Sequence, residues 1–457
     1  MDIAFSSTTE LAAAIRNRKI SAVEALDAHL AQINRHNAAI NAVISLDSEG
    51  AYECAEKADA TLARGATPGP LHGVPFTLKD THETAGMKTT VGFPSFADYV
   101  ASHDSPVVAR LKAAGGVLMA KTNVATMLSD WQSNNLLFGR TGNPWDLERT
   151  AGGSSGGAAA AAAAGMTPFD VGTDMQDSIR LPAAFCGVYG LKPTEHRVSL
   201  AGAFPDPGGA ARSVRLMSCL GPLARGVDDL SLIYQIIAGP DGRDTDLAPV
   251  PVETMPKLDL KALRIAFAPS FAGFPVAGDI GAAVETLAKQ LQSVGAIVEE
   301  ANLPRLDLHD DLAQGGALIG MMMEAAQPQP PEQPTPVSRW FEALARRDKS
   351  ILAWDQFFDS YDALLCPVAM TTAFPHCEPG APIKVDGKDQ SYWILPAYGA
   401  VFNYSGHPAL AMPCGEDRDG LPIGLQLVGK RWSEVRLLGI AAAIEPFTGG
   451  FRRPPGY

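Results

Sequence analysis

The chain of 457 residues carries 37 Lys and Arg against 50 Asp and Glu, a formal charge of −13, so nucleic-acid backbones and anionic membranes are repelled on average. Apolar residues at 46% and charged residues at 19% support a large buried core and exclude a disordered chain. The 44 glycines and 35 prolines exceed the usual combined share of about 12% and point to many turns rather than a helical bundle. Cys54, Cys186, Cys219, Cys366, Cys377 and Cys414 form no C-x-x-C pair, which argues against a disulfide framework or a thiolate zinc site and fits a reducing compartment. The first residues lack the basic and apolar regions of a signal peptide. The longest small-apolar run, Ala158 to Ala164, is far shorter than the ~20 residues of a membrane span. A cytoplasmic protein that binds neither nucleic acid nor membrane is expected.

Two capping boxes open the chain, Ser7 with Glu10 and Ser21 with Glu24, the second followed by Val23, Leu26, Leu30 and Ile33 at helical spacing. Gly73 to Asp80 (GVPFTLKD) reads as a short buried strand whose polar end carries Lys79 and Asp80, the place where α/β proteins put chemistry. Gly115-Gly116 separates a helix end from the strand Val117 to Ala120. Next come Gly152 to Gly157 (GGSSGG), an Ala-rich helix, the strand Phe169 to Gly172 and a polar turn to Arg180. Leu263 to Ala268, Ile280 to Val294 and Ala296 to Val298 predict a further strand–helix–strand unit. Gln327 to Pro336 (QPQPPEQPTP) reads as a surface loop.

No G-x-S-x-G, no H-E-x-x-H and no phosphate-loop G-K-[ST] follows the glycines, and the nine histidines are scattered. What remains is hydroxyls in a glycine-rich backbone and a Lys at a strand end. A serine is a weak nucleophile until a base takes its proton, and a buried Lys of lowered pKa can be that base. Glycines let backbone N–H groups approach a reacting carbonyl. Taken alone, Gly152 to Gly157 reads equally as a flexible loop.

GGSSGG, the 24-residue spacing from Ser154 to Ser178, the strand ending in Lys79, and GTDMQDSIRLPAAFCGVYGLKPT together resemble the amidase signature family of serine hydrolases. The resemblance continues through GGVLMAKTN, FGRTGNPWD, YDALLCP and NYSGHPALAMPCG…GLPIGLQLVG. It implies an α/β fold with a large mixed central sheet covered by helices on both faces, as a single domain over 1–457. Within it, 1–65 is expected to be a helical N-terminal section, 66–230 the catalytic core, 231–345 a variable substrate-covering region and 346–457 the remainder of the core.

The resemblance also implies a Ser–cis-Ser–Lys triad with Ser178 as nucleophile, Ser154 as bridging serine after a cis peptide bond, and Lys79 as base. Backbone N–H groups of Met175, Gln176, Asp177 and Ser178 would hold the oxyanion. Asp174 and Arg180 match positions that support the turn, where a plain structural ion pair suits them equally, and Ser155 reads first as a small residue in a tight loop and second as a hydrogen-bonding group near the site. Met127, Trp131, Phe138, Met322, Tyr398 and Phe402 lie in blocks that flank the site in the family and would line a pocket, although each also suits ordinary core packing. Cys186 reads as an inert core thiol and His72 as a surface histidine. No metal or cofactor is required.

The implied reaction is hydrolysis of a small amide, with esters or carbamates also accepted, by a monomer or homodimer near bacterial aryl-acylamidases and urethanases. Two rival readings are the partner-dependent catalytic subunit of the tRNA-dependent amidotransferases and a weakened or non-catalytic relative. The second arises because Gln176-Asp177 stands where the family has Gly-Gly. A carboxylate there would oppose a developing oxyanion if it faced the site, and would matter little if it pointed to solvent.

Overall fold

The computed structural model describes residues 1–206, 213–327, 329 and 331–457. Both capping boxes form: Ser7 and Ser21 accept from the amides of Glu10 and Glu24, whose carboxylates reach back, starting helices α1 (Thr8–Arg16) and α2 (Ala22–Ile40). Strand β1 (Val43–Leu46), inside the section expected to be helical, follows because the chain leaves α2 through Asn41 in the left-handed region and pairs Val43 with Thr122. Then come α3 (Ser48–Ala63), β2 (Pro75–Lys79), α4 (Pro106–Ala113), β3 (Val117–Thr122), the short pair β4 (Gly142–Asn143) and β5 (Asp146–Thr150), and α5 (Gly156–Ala163). The middle of the chain supplies β6 (Phe169–Asp174), α6 (Arg180–Cys186), β7 (Tyr189–Lys192), β8 (Cys219–Ala224), α7 (Val227–Ile237), β9 (Arg264–Phe267), α8 (Gly278–Ser293) and β10 (Ile297–Glu300). The last third contains α9 (Leu308–Ala325), α10 (Val337–Phe357), β11 (Ala363–Pro367), the hairpin β12 (Ile383–Val385) and β13 (Lys388–Gln390), α11 (Ala397–Tyr404), β14 (Ala409–Glu416), β15 (Pro422–Val428) and α12 (Glu434–Thr448).

Eight strands form one mixed sheet in the order β10-β9-β11-β15-β14-β7-β8-β6. The β10-β9-β11 edge is parallel and the rest antiparallel. Residues 264–300, within the region expected to be variable, form the strand–helix–strand unit read from the sequence and build that parallel edge, because Ile265 and Ala266 are apolar on both faces and leave no side for solvent. Of the Pro-rich loop, Pro328 and Pro330 lie outside the described residues, and the rest is exposed.

Alternation along the strands creates a core on each face. Leu364, Cys366, Ala409 and Ala411 pack with Ala-rich α5, with Leu181 and Phe185 of α6 and with Trp354 of α10. Ala363, Leu365, Leu410 and Met412 pack with α7, α8 and α12 through Leu230, Ile233, Val284, Leu287 and Leu438. The sheet is therefore covered by helices on both faces.

A smaller sheet, β1-β3-β2, meets the large one at β6. Asp170 of β6 fastens the seam by accepting from Lys79 N at 2.8 Å, Thr77 Oγ1 at 2.6 Å and Thr122 Oγ1 at 3.0 Å. Burial pushes its carboxyl up to about 6, against those hydrogen bonds and Lys79. Lys79 is thereby held at the junction of the two sheets. No helix among the described residues is long and apolar enough to cross a membrane.

Candidate active site

The last residue of β2, Lys79, is fully buried. Its Nζ lies 2.7 Å from Ser154 Oγ, 2.8 Å from Ser155 Oγ, 2.7 Å from Thr173 Oγ1 and 3.4 Å from Thr173 O. Every one of these partners is neutral. Burial pulls the ammonium down to about 7, although the carboxylates of Asp174 and Asp170 work to raise it.

Ser154 follows a cis peptide bond from Gly153. A Cβ at Gly153 would lie 2.5 Å from Asp130 O and 2.6 Å from the carbonyl carbon of Trp131, so only glycine lets the 130–132 segment press on this loop. Ser133 Oγ braces the loop's far side, accepting from Gly156 N at 2.8 Å and donating to Ser154 O at 3.3 Å. Ser178 is buried, with 8% of its surface exposed, and its carbonyl accepts from Ser155 N at 3.3 Å. Among the described residues no hydrogen bond joins its hydroxyl to Ser154.

The turn after β6 is organised by the carboxylate of Asp174. One oxygen accepts from Asp177 N at 2.9 Å and the other from Ile179 N at 3.1 Å. Arg180 grips the same two oxygens from Nη2 and Nε at 3.1 and 3.0 Å, while Asn403 Nδ2 adds a bond at 2.8 Å. Burial works to raise Asp174, but the Arg180 guanidinium and its hydrogen bonds prevail, with Lys192 and Asn403 assisting, and hold the carboxyl at about 2. The amide of Asp177, one of four expected to face the reacting carbonyl, is thus taken up by Asp174 and, at 3.3 Å, by Asn403 Oδ1. Those of Met175, Gln176 and Ser178 donate to no group among the described residues.

Asp177 sits at φ 73°, a conformation that glycine adopts freely and Asp only at some cost. Its side chain is turned away from solvent, and its charged neighbour at ion-pair distance is Arg180. Both carboxyl oxygens are buried without a hydrogen bond, and Oδ1 lies 3.4 Å from Arg180 Nε, which points instead at Asp174. Burial drives this carboxyl well above the ordinary range, with Arg180 opposing and Asp174 reinforcing the rise. It fits only because residue 399 is glycine, where a Cβ would stand 2.0 Å from Asp177 Oδ1.

Asp177→Gly is therefore expected to stabilise the protein by about 1–3 kcal/mol, the desolvation cost of an unsatisfied buried group. Gly399→Ala should destabilise the parent and be tolerated in the Asp177→Gly background. Urea denaturation of the four chains checks both statements, and a less stable Asp177→Gly would contradict this account of the carboxyl.

The six apolar residues expected to line a pocket divide by burial. Met322, Tyr398 and Phe402 are packed in the core: Phe402 contacts Trp354 and Phe271, and Tyr398 donates to Phe274 O. Phe138 lies in a turn held by Asn135 and Asn41, while Met127 is partly exposed at φ 53°. Trp131 alone of the six bonds to the turn, its indole N–H donating to Gln176 O at 3.2 Å. Cys186 is buried, with its thiol pushed up by burial, and His72 bonds to Ala58 O.

Sequence reasoning missed Thr173, Asp170, Asn403, Gly399 and Gln426. Thr173, Asn403 and Gln426 stand inside the family-like blocks GTD, NYSGHP and GLQLVG, but nothing local says that their side chains turn inward. Among the described residues no group of three or more His, Cys, Asp or Glu is placed to hold a metal.

The amidase family model matches residues 24–329 and 321–438. The chain belongs to the amidase signature family. It is 34% identical to a glutamyl-tRNA(Gln) amidotransferase subunit of Moorella thermoacetica, over 100% of this chain and 99% of that one. It is also 32% identical to an acylamidase of Rhodococcus erythropolis, over 96% of this chain and 94% of that one. A bacterial aryl acylamidase of the amidase signature family superposes with a TM-score of 0.85 at 25% identity, covering 97% of this chain and 96% of the other. The protein is accordingly an amidase signature hydrolase with that family's α/β fold.

Proposed function

We propose that this amidase hydrolyses small linear amides through an acyl-enzyme on Ser178, with Ser154 as proton bridge and Lys79 as base. The observation that carries the reading is the Lys79 amine, sealed from water among neutral oxygens with Ser154 Oγ at 2.7 Å. Neutral Lys79 takes the Ser154 proton as Ser154 takes that of Ser178, whose oxygen attacks the carbonyl carbon. The negative charge passes to the carbonyl oxygen, for which the amides of Met175, Gln176 and Ser178 are the available donors. When the intermediate collapses, the C–N bond breaks and Ser154 delivers a proton to the departing amine while Lys79 returns one to Ser154. Water then attacks the acyl-enzyme through the same relay and releases the acid. Esters and carbamates present the same carbonyl and leaving group and fall within reach.

Lys79 near 7 sets the pH dependence. The base form is the deprotonated one, so kcat/KM should rise with pH along one limb with a midpoint near 7 and flatten above it. A midpoint at the ordinary lysine value of ~10.4 would contradict the role of burial.

A second reading follows from the likeness to the amidotransferase relative of Moorella thermoacetica: ammonia release for a partner protein. Incubating the purified chain alone with a fluorophosphonate, an anilide and a p-nitrophenyl ester separates the two. Mapping the adduct to Ser178 with turnover of either substrate supports the hydrolase. Labelling without turnover supports the partner-dependent role. No adduct on Ser178 removes both.

A further inference from the structure

We infer that Trp131 is a positioning residue that clamps the peptide between Gln176 and Asp177 and so orients the oxyanion donors; the inference deepens the proposed reaction and rests on it. That peptide is held at both ends. Its carbonyl accepts from the Trp131 indole at 3.2 Å, and its N–H donates to Asp174 Oδ1 at 2.9 Å and Asn403 Oδ1 at 3.3 Å. The donors available on either side, the amides of Gln176 and Ser178, share backbone torsions with it, so its orientation sets theirs.

This chain needs the clamp because of residue 177. Rotating the peptide about its own axis would move Asp177 from φ 73° towards the negative φ that a residue with a Cβ prefers. A glycine at 177 would have no such bias.

Trp131 is itself fixed from behind. Its backbone presses on Gly153, the adjoining Asp130 accepts from Tyr392 Oη, and Gln132 exchanges bonds with Cys377 O at 2.8 Å and Cys377 N at 3.1 Å. The indole packs against Tyr392 at 5.6 Å and against Trp393, 57% exposed, at 5.8 Å between ring centroids. One segment thus touches both the Gly153–Ser154 loop and the 174–180 turn.

Trp131→Phe keeps the ring and deletes the donor. It should lower kcat about tenfold on an aryl and an alkyl amide alike, with KM within about twofold, as the loss of one positioning hydrogen bond predicts. Hydrogen exchange of residues 175–179 should quicken. In the Asp177→Gly background the same change should cost no more than about threefold, and Trp393→Ala, which spares the indole N–H, should leave kcat within about twofold.

The inference is overturned if kcat and exchange are both unchanged, if the loss falls on KM for the aryl substrate only, or if the penalty is as large in the Asp177→Gly background. Because exchange is read without substrate, a parent that turns over nothing would refute the proposed reaction while still deciding the clamp. Should Trp131→Phe fail to fold, exchange of the Trp131 indole proton in the parent decides: slow exchange supports the bond to Gln176, and fast exchange removes it.

Discussion

Ser178→Ala is expected to abolish turnover, leaving on the order of 10⁻⁴ of the parent rate or less, because the proposed relay ends on this hydroxyl and the other hydroxyls at Lys79, those of Ser154, Ser155 and Thr173, are held against the amine. Two other side chains that could take a label fail on burial and chemistry. Ser155 is fully buried with its hydroxyl against Lys79, and the Cys186 thiol is buried and pushed up by that burial. Lys79→Ala should cost at least ~10²-fold in acylation, since the relay then ends at Ser154 with no acceptor for the proton. Lys79→Arg should be as inactive as the alanine variant, because a guanidinium stays protonated. Single-turnover acylation by a p-nitrophenyl ester reads the chemical step directly. An active Lys79→Arg, or a fluorophosphonate adduct on Ser155 with Ser178 unmodified, would remove the assigned roles.

Arg180→Met carries the largest expected loss of stability, about 3–5 kcal/mol, the cost of leaving a buried charge without its partner. Arg180 is fully buried and its bonds join three elements: Asp174 at the end of β6, Gln426 of β15 at 2.9 Å from Nη1, and Asn403 of α11 at 2.6 Å from Nη2. Without the guanidinium, the Asp174 carboxyl is no longer held at about 2, and burial raises it towards the neutral form. The carboxylate that takes the amides of Asp177 and Ile179 then weakens as an acceptor, so activity should fall beyond what lost stability explains. Arg180→Lys should recover little, since a point charge cannot serve two carboxylate oxygens and two amide side chains from one plane. Urea midpoints and kcat measured well below the transition check the pair. An Arg180→Met chain as stable as the parent would mean that Asp174 does not need its counter-charge.

Much of the architecture is legible in the sequence because its causes are short-range. The two capping boxes need only residues three apart, and the period-2 alternation and apolar runs of the strands are visible within five or six residues. The family resemblance points to Lys79, Ser154 and Ser178, with the spacing choosing Ser154 over Ser155, and Lys79 and Ser154 lie 2.7 Å apart in the folded chain. The β9–α8–β10 unit is readable as a unit, yet its placement at the parallel edge of the main sheet is not, since pairing with β11 joins residues about 100 apart.

The side chains around the site depend on packing across still longer distances. Asn403 and Gln426 reach Arg180 from more than 220 residues away, and no local periodicity encodes such a meeting. Motif blocks alone are enough to assign the family and to propose the hydroxyls and the amine, because the residue types and the backbone turns that present them recur within short stretches of chain. The folded chain is needed to see that the Asp177 side chain turns inward to the hollow above Gly399, that its amide is taken up by Asp174, and that Trp131 holds the Gln176 carbonyl. Each of these is a choice among several local conformations, and it is the packed neighbours, with their hydrogen bonds and excluded volume, that select one.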